Sequence, residues 1–505
     1  MESERKNLSG TSGVDSHDVD MALSPDRDWV VAAWLEGDTG SDILVRALEV
    51  SSGQWDEAFM AFSGTSSEYA YDVAVQVTDQ GIVHLAYVLF DYTSGDLSTS
   101  VVYKTCDLDT QQCPGQTQLA KPLGQKITWV DLALDATGDP HVVWARSEAT
   151  GGSGDIKYRA YSGGSWGPTD EVSGSGDNVA PAIACAGEMA HIVWLEQTGW
   201  GIWYSDGDDE APTQVDASAP NTVLGSPDVA ASGNRLFVTW DQCVTSSCEQ
   251  YYVVYNRSNN AGGAWGTIRE VGTDAEMGDF KETYNSLADP EGRSPYLLDL
   301  QPSIALDEER WPAVAWHADS GSAGTDYRIY YTWSSGGSSD EVNWVAIPPM
   351  VSQHTFVEPG AGSVTLGVGE REGGEYLHSL YVEPPSVDDD WDVYYEGFQH
   401  TARAHITADA MAALGQAVTL DGSGSYSPSG GSLSYNWQLT DKPTGSSASI
   451  DQPGVVSTEL VNVDMMGAYT VTLEVDDEAT TDTDTVCINV YENVYSIHLP
   501  LVMRQ

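Results

Sequence analysis

The chain of 505 residues carries 76 acidic and 21 basic side chains, for a formal net charge of −55 and a pI near 4.1. Such a surface repels phosphate and anionic headgroups, which excludes a nucleic-acid partner or a membrane-surface role, while 17 Trp, 25 Tyr and 41% hydrophobic residues exclude a disordered chain. No run of 18 apolar residues occurs, so no direct membrane span is expected.

Met1 to Gly13 is polar and lacks an apolar signal core, so an export signal is expected either to have been removed or never to have been present. From there to about residue 400 the chain repeats with a period of about 57 residues. Seven times a strand follows a turn and ends in an aromatic residue, at Trp34, Tyr87, Trp144, Trp194, Trp240, Trp316 and Tyr381. A strand precedes each, as at Asp18–Leu23, Val130–Asp135 and Pro227–Ala231, and a Tyr-rich strand follows, as at Ile156–Ala160 and Tyr251–Asn256. A fourth strand after Trp55, Trp166, Trp265 or Trp344 completes the unit. Four antiparallel strands repeated radially, each sheet burying its faces only against its neighbours, make a seven-bladed β-propeller.

The seventh unit lacks a fourth strand before the composition changes near His400. Arg5–Gly10 stands before the first blade as Asp170–Gly174 stands before the fourth, so one N-terminal strand is expected to close the last blade and hide its edge. The expected domains are therefore 1–401 as propeller, 402–492 as a β-sandwich and 493–505 as an apolar tail. In all, the fold class is all-β, a propeller followed by an immunoglobulin-like sandwich.

Cys106 and Cys113 flank a six-residue turn and Cys243 and Cys248 a four-residue one, so two local disulfides are expected; a metal site is the alternative for each pair, though no second Cys or His pair lies at suitable spacing. Cys185 and Cys487 lie in apolar strand patterns and read as buried single thiols. Disulfides point outside the cytoplasm, to a secreted or cell-surface protein. The acidic, Lys-poor surface suits high salt equally.

Two resemblances follow from quoted residues. Ser258-Asn259-Asn260-Ala261-Gly262-Gly263-Ala264-Trp265 resembles the Asp-box turn of sialidase-type or BNR-repeat propellers, with Asn260 where Asp is usual. In that family the turn staples the hairpin between the last two strands of a blade and takes no part in catalysis. Leu420–Pro428, Leu433–Trp437, Lys442–Ser446 and Gly467–Asp477 resemble, in order, the motifs of a PKD domain. That likeness implies an extracellular spacer or adhesive module without catalysis. Independently, Tyr469, Val471, Leu473 and Val475 alternate with polar residues as in a half-buried strand, and Trp437 is placed to fill a sandwich core. The tail holds Ile497-His498-Leu499-Pro500-Leu501-Val502-Met503 and resembles apolar endings of large secreted bacterial surface proteins. It reads as a last strand docked on the sandwich, as a sorting signal, or as a strand donated to a neighbouring copy in a homo-oligomer.

Candidate chemistry gathers on one propeller face. Two residues beyond each blade aromatic stand Glu36, Leu89, Arg146, Glu196, Gln242, Ala318 and Glu383, expected to ring the channel mouth. Glu36, Glu196 and Glu383 are the candidate acid and base for a glycosidic bond; as loop-initial residues in a chain about 15% acidic, they read first as solvated charge. The sialidase resemblance implies three arginines on the substrate carboxylate and a Tyr/Glu nucleophile pair. Only blade 3 has an Arg in the ring, so sialidase activity is disfavoured. Glu36, Arg146, Glu196, Trp200, Gln242 and Glu383 are the candidate ligand-binding residues, Trp200 either for stacking on a sugar or, equally, for packing on a neighbouring blade. The insertion Thr273–Asp299 is a candidate groove wall.

His84, His141, His191 and His378 each precede a blade aromatic by three residues, on the opposite strand face, and read as hydrogen-bonded core histidines. The acidic run Asp206–Glu210, the run Asp388, Asp389 and Asp390, and the pair Asp476 and Asp477 offer oxygen ligands for Ca2+, though none keeps a calcium-loop spacing. The expected function is extracellular binding or adhesion toward glycan or protein. The alternatives are a polysaccharide-active glycosidase and a self-assembling surface or filament subunit.

Overall fold

The computed structural model describes residues 4–10, 14–37, 41–94, 97–148, 154–174, 176–207, 212–216, 223–243, 251–271, 302–307, 310–319, 327–337, 342–344, 364–371, 374–383, 392–399, 402, 404–408, 411–423, 425, 433–476 and 481–492. The chain divides into two compact units: one runs over Glu2–Gly369 and Leu377–Phe398, and the other over Gln399–Gln505 with Met1 and the short stretch Glu370–Tyr376. Each is described by itself.

The first unit is a seven-bladed β-propeller. Among the described residues its seven sheets each have four or five strands, and in six of them the strands follow chain order outward. In blade 1, Ser16–Leu23 pairs with Trp29–Glu36, which pairs with Asp42–Glu49. The seventh sheet is completed from the other end of the chain: Glu4–Asn7 lies antiparallel to Asp392–Gln399, with Arg5 opposite Glu396 and Asn7 opposite Tyr394. Leu8, just beyond, is buried with Val19, Trp34, Leu380, Val393 and Tyr395.

The period of two along each second strand decides what faces where. Six of the seven aromatics, all but Trp316, are seen to enter the seam with the preceding blade. Tyr87 packs among Val31, Leu35 and Val45 of blade 1, Trp144 among Ala86, Val101 and Leu119 of blade 2, and Trp194 among Val143, Ile156 and Tyr158 of blade 3. Histidines three residues earlier lie on the other face and bond a third-strand tyrosine of their own blade: His84 Nδ1 with Tyr103 at 2.7 Å, His191 with Tyr204 at 2.9 Å and His378 with Tyr395 at 2.8 Å. His141 pairs with Tyr158 in the same way. Burial pushes the imidazoles of His84 and His191 down to about 4.

On the outer side, arginines tie blades together. Arg46 donates to Asp56 O in its own blade and to Leu8 O, just past the closing strand, at 2.8 Å. Arg159 repeats this with Gly167 O and Leu119 O of blade 2. The Asp-box-like turn works with Asn in place of Asp: Asn260 Oδ1 accepts from Ser258 Oγ and Ala264 N, and Ser258 Oγ accepts from Gly262 N. Gly262, at φ +84°, presses on Tyr204, and a Cβ there would sit 2.2 Å from the ring. Outer strands follow Trp55, Trp166 and Trp265 as expected, at Phe59–Phe62, Asp170–Glu171 and Arg269–Glu270, with Trp55 and Trp166 also ending two-residue pairings at hairpin turns; Trp344 departs from expectation in ending its own outer strand, Val342–Trp344.

The second unit is a sandwich of two sheets, each four-stranded among the described residues. In one, Val418–Asp421 and Ser457–Val461 form the centre; in the other, Gly467–Asp476 lies between Ser434–Asp441 and Thr481–Tyr491. Leu420, Trp437, Leu460, Tyr469, Val471, Leu473 and Ile488 fill the space between them. Trp437 Nε1 donates to Val455 O, and the Tyr469 hydroxyl donates to Met465 O four residues upstream, as at the tyrosine corner of immunoglobulin-like sandwiches.

The disulfide Cys106–Cys113 is formed. Cys243 lies in a strand whose side chain there is not described, and Cys248 lies outside the described residues. Cys487, expected to be buried, is exposed, because it faces outward on the sheet between inward-facing Val486 and Ile488. Cys185 is partly buried.

Candidate binding face and central channel

The end of each second strand lies beside the start of the first: Ser16 pairs with Glu36 and Asn178 with Glu196. This fixes the ring residues on one face of the propeller. Those whose side chains are described, Glu36, Leu89, Arg146, Glu196 and Gln242, stand two residues from a seam-facing aromatic and so share its strand face instead of converging on the axis. Glu36 Oε2 accepts from Trp34 Nε1 at 3.1 Å, and Leu89 is buried in the seam between blades 1 and 2. Gln242 is half-buried, opposite Tyr252 and Leu224. The side chains of Ala318 and Glu383 lie outside the described residues, as do the insertion at 273–299, the runs 388–390 and 208–210, Asp477 and the tail 493–505. Asp476 sits at a strand end opposite Ser434 and Thr481. Among the described residues no group of three or more His, Cys, Asp or Glu could hold a metal ion.

The best-defined part of the face lies where blades 3 and 4 meet. On the other face of blade 3, the one that carries Trp144 and looks toward blade 2, Arg146 Nη2 donates to Asp155 at 2.6 Å, and Lys157 reaches both Asp155 and Glu171. Asn178 crosses the seam: its amide donates to Gly154 O, and its Oδ1 accepts from Trp194 Nε1. Gly154 permits this approach, since a Cβ there would lie 2.6 Å from Asn178 O. Glu196 caps the hairpin after it, accepting from Thr198 N at 2.8 Å and Gly199 N at 2.7 Å. That turn delivers Trp200 with φ +52°, a left-handed backbone rarely adopted by a bulky residue. The indole is half-buried, packed against the apolar cluster between blades 4 and 5. Asp177 stands beside Glu196; burial, then the negative charge of Glu196, hold its carboxyl above the ordinary range.

The axis itself is lined by first strands, and here the sequence reading missed the strongest feature. Asp18, Asp20, Asp72, Asp131 and Asp228 line a central cavity of about 480 Å3, with no basic side chain among its described lining residues. These carboxyls staple neighbouring blades. Asp20 accepts from Met21 N and, across the seam, from Val75 N at 2.7 Å. Asp72 accepts from Val130 N, Asp131 from Leu132 N and Ile183 N, and Asp228 from Val229 N and Ile304 N. Ser303 closes the next seam, its hydroxyl accepting from Leu366 N. An innermost strand has an unpaired edge, and the staples satisfy amides that face the channel. Burial raises the Asp20 carboxyl to about 7 and that of Asp228 to about 6. Asp131 is raised too, by burial and then by Asp20. A recurring acid, small-residue signal was available in the sequence: Asp20-Met21-Ala22, Asp72-Val73-Ala74, Asp131-Leu132-Ala133 and Asp228-Val229-Ala230.

Residues 407–490 match the family model of a PKD domain. The second unit is a PKD domain. No curated protein matches the chain. Among solved structures, the polysaccharide lyase Uly1 is similar at 12% identity over 76% of this chain and 90% of its own, with a TM-score of 0.43. A protein of unknown function from Dyadobacter fermentans DSM 18053 is similar at 7% identity over 78% and 97%, TM-score 0.42. The NanB sialidase from Streptococcus pneumoniae is similar at 9% identity over 78% and 70%, TM-score 0.37.

Proposed function

We propose that the protein is a secreted or cell-surface binding protein whose propeller face takes an extracellular glycan or protein ligand, with the PKD domain as spacer. The observation that carries this reading is the hairpin of blade 4. Glu196 spends its carboxylate on two backbone amides, and what that cap holds in place is an aromatic side chain on a left-handed backbone. Strain of this kind, worth about 1–3 kcal/mol, persists where a side chain must be aimed. Glu36, likewise committed to Trp34, is a positioning group rather than a free acid. The disulfide and the PKD domain support an extracellular setting.

A glycan-array screen followed by tryptophan-fluorescence titration tests the reading. Trp200→Ala is expected to abolish binding while the far-ultraviolet spectrum is kept; binding by the variant equal to wild type would remove the site. One observation favours a second reading, an enzyme acting on polysaccharide. Asp177 stands beside Glu196, and burial and then that neighbouring charge hold its carboxyl above the ordinary range, the direction a general acid requires. Release of reducing ends or unsaturated sugars from acidic polysaccharides, lost in Asp177→Asn, separates this reading from binding alone.

A further inference from the structure

In blade 1, the face that carries the candidate ring holds three side chains in the order of a nucleophilic relay, and their chemistry lies beyond the binding reading. His17 is the second residue of the first strand, and its Nδ1 lies 2.9 Å from Asp18 Oδ2. Its Nε2 lies 3.3 Å from the hydroxyl of Ser41, which stands just before the third strand. These contacts fix the tautomer. A carboxylate accepts and does not donate, so the proton of the neutral imidazole sits on Nδ1 and the Nε2 lone pair faces Ser41 Oγ. Ser41 Oγ is also 3.2 Å from Gly37 O, which holds the hydroxyl in place but cannot carry its proton away. The His17 and Asp18 side chains are 28% and 11% exposed, and Asp18 stands in the wall of the channel cavity. The fold asks for none of the three. Blade 4 makes the same bulge in its first strand, with Ala180 at φ +47° where Asp18 has φ +44°, yet fills it with Val179 and Ala180. By the pairing of the third strands, the position of Ser41 is taken by Gly154 in blade 3 and by Trp200 in blade 4.

We propose that Ser41, His17 and Asp18 form an ester-hydrolysing site for small acyl groups such as acetyl. Ser41 Oγ bonds to the ester carbonyl carbon while His17 Nε2 takes its proton; the tetrahedral adduct then breaks its carbon–oxygen bond to the alcohol, which leaves with that proton. Water attacks the acyl-serine by the same route, with His17 again as base, and releases the carboxylic acid and the free hydroxyl. Asp18 touches neither the ester nor the nucleophile. It is a positioning residue, holding the imidazole in the tautomer that can accept. Acyl size follows from enclosure: Ser41 is 5% exposed, which selects a short acyl group over a peptide chain.

The probe is p-nitrophenyl acetate, whose hydrolysis needs no glycan and so stands or falls apart from the binding reading. The intact protein is expected to release p-nitrophenolate above the buffer rate, and Ser41→Ala and His17→Gln are each expected to lower that excess about 100-fold. In Asp18→Asn the new amide donates to Nδ1 and turns Nε2 into a donor, so kcat is expected to fall with KM unchanged. A second measurement needs no variant and is blind to misfolding. A fluorophosphonate added to the wild-type protein is expected to phosphonylate Ser41 Oγ with loss of fluoride, read by peptide mass spectrometry, and to stop the hydrolysis. No release above buffer, release that survives Ser41→Ala, or an adduct on another residue in place of Ser41 overturns the site, and so does an unchanged kcat in Asp18→Asn.

Discussion

The closing strand makes the sharpest mutational demand on the fold. Leu8 is 2% exposed, its amide donates to Val393 O at 2.7 Å and its carbonyl accepts from Arg46. Truncating a leucine so enclosed costs about 3 kcal/mol, the transfer of the lost carbons plus the cavity left among Trp34, Trp55 and Tyr395. That is a substantial part of the 5–15 kcal/mol that holds a typical domain folded. A second effect follows from position: Glu4–Asn7 covers the outer edge of Asp392–Gln399, and an edge laid bare recruits other chains. Leu8→Ala is therefore expected to lower the urea midpoint with an unchanged slope and to produce concentration-dependent association in light scattering. Leu123→Ala, at a position 95% exposed, is the control and is expected to change stability by less than about 0.5 kcal/mol. If Leu8→Ala matched the control, the first residues would not be closing the ring.

Two further outcomes are expected. Trp437→Ala removes the largest core side chain of the PKD domain and its bond to Val455 O; it is expected to cost about 4 kcal/mol and to make residues 407–490 the first site of limited proteolysis. Reduction of Cys106–Cys113, which spans seven positions of sequence, is expected to cost about 2–3 kcal/mol by freeing a short loop in the unfolded chain, visible as a lower melting temperature that reoxidation restores.

The architecture was legible because one physical signal, the aromatic at the end of each second strand, recurs with constant register, and seams bury the same position each time. The closing strand was legible for a related reason: a sheet missing its outer member leaves a vacancy that only the opposite chain end can fill. The ring around the channel mouth was misread. Its members were aligned correctly by register, but a residue two positions from a seam-facing aromatic also faces a seam, as Glu36 does in accepting from Trp34. The channel acids were overlooked because in a chain so rich in Asp a carboxylate reads as solvated charge. Their enclosure in one channel comes from first strands meeting at an axis, which no local window contains. Trp200 was singled out as an aromatic, but its left-handed backbone depends on the cap from Glu196 and has no counterpart in composition or spacing.

The buried histidines and the buried acids set opposite limits on one curve. His84 and His191, depressed to about 4 from an ordinary 6.5, resist protonation in the folded state, so their contribution is present above about 6.5 and is lost as pH falls toward 4. Each is worth on the order of 3 kcal/mol over that window. The channel acids act in the reverse sense: what they contribute is complete below the unfolded carboxyl range and is gone once pH has risen through 6 to 7. The two windows overlap between about pH 4 and 6.5, where the contributions oppose one another, and urea midpoints measured from about pH 4 to about pH 9 report the balance. His191→Gln, which removes one opposing contribution, is expected to steepen the fall in stability across the overlap, while Asp228→Asn is expected to make it shallower. Should both substitutions change that slope in the same direction, the histidines and the acids would belong to one coupled network, and the separation of seam from channel would fail.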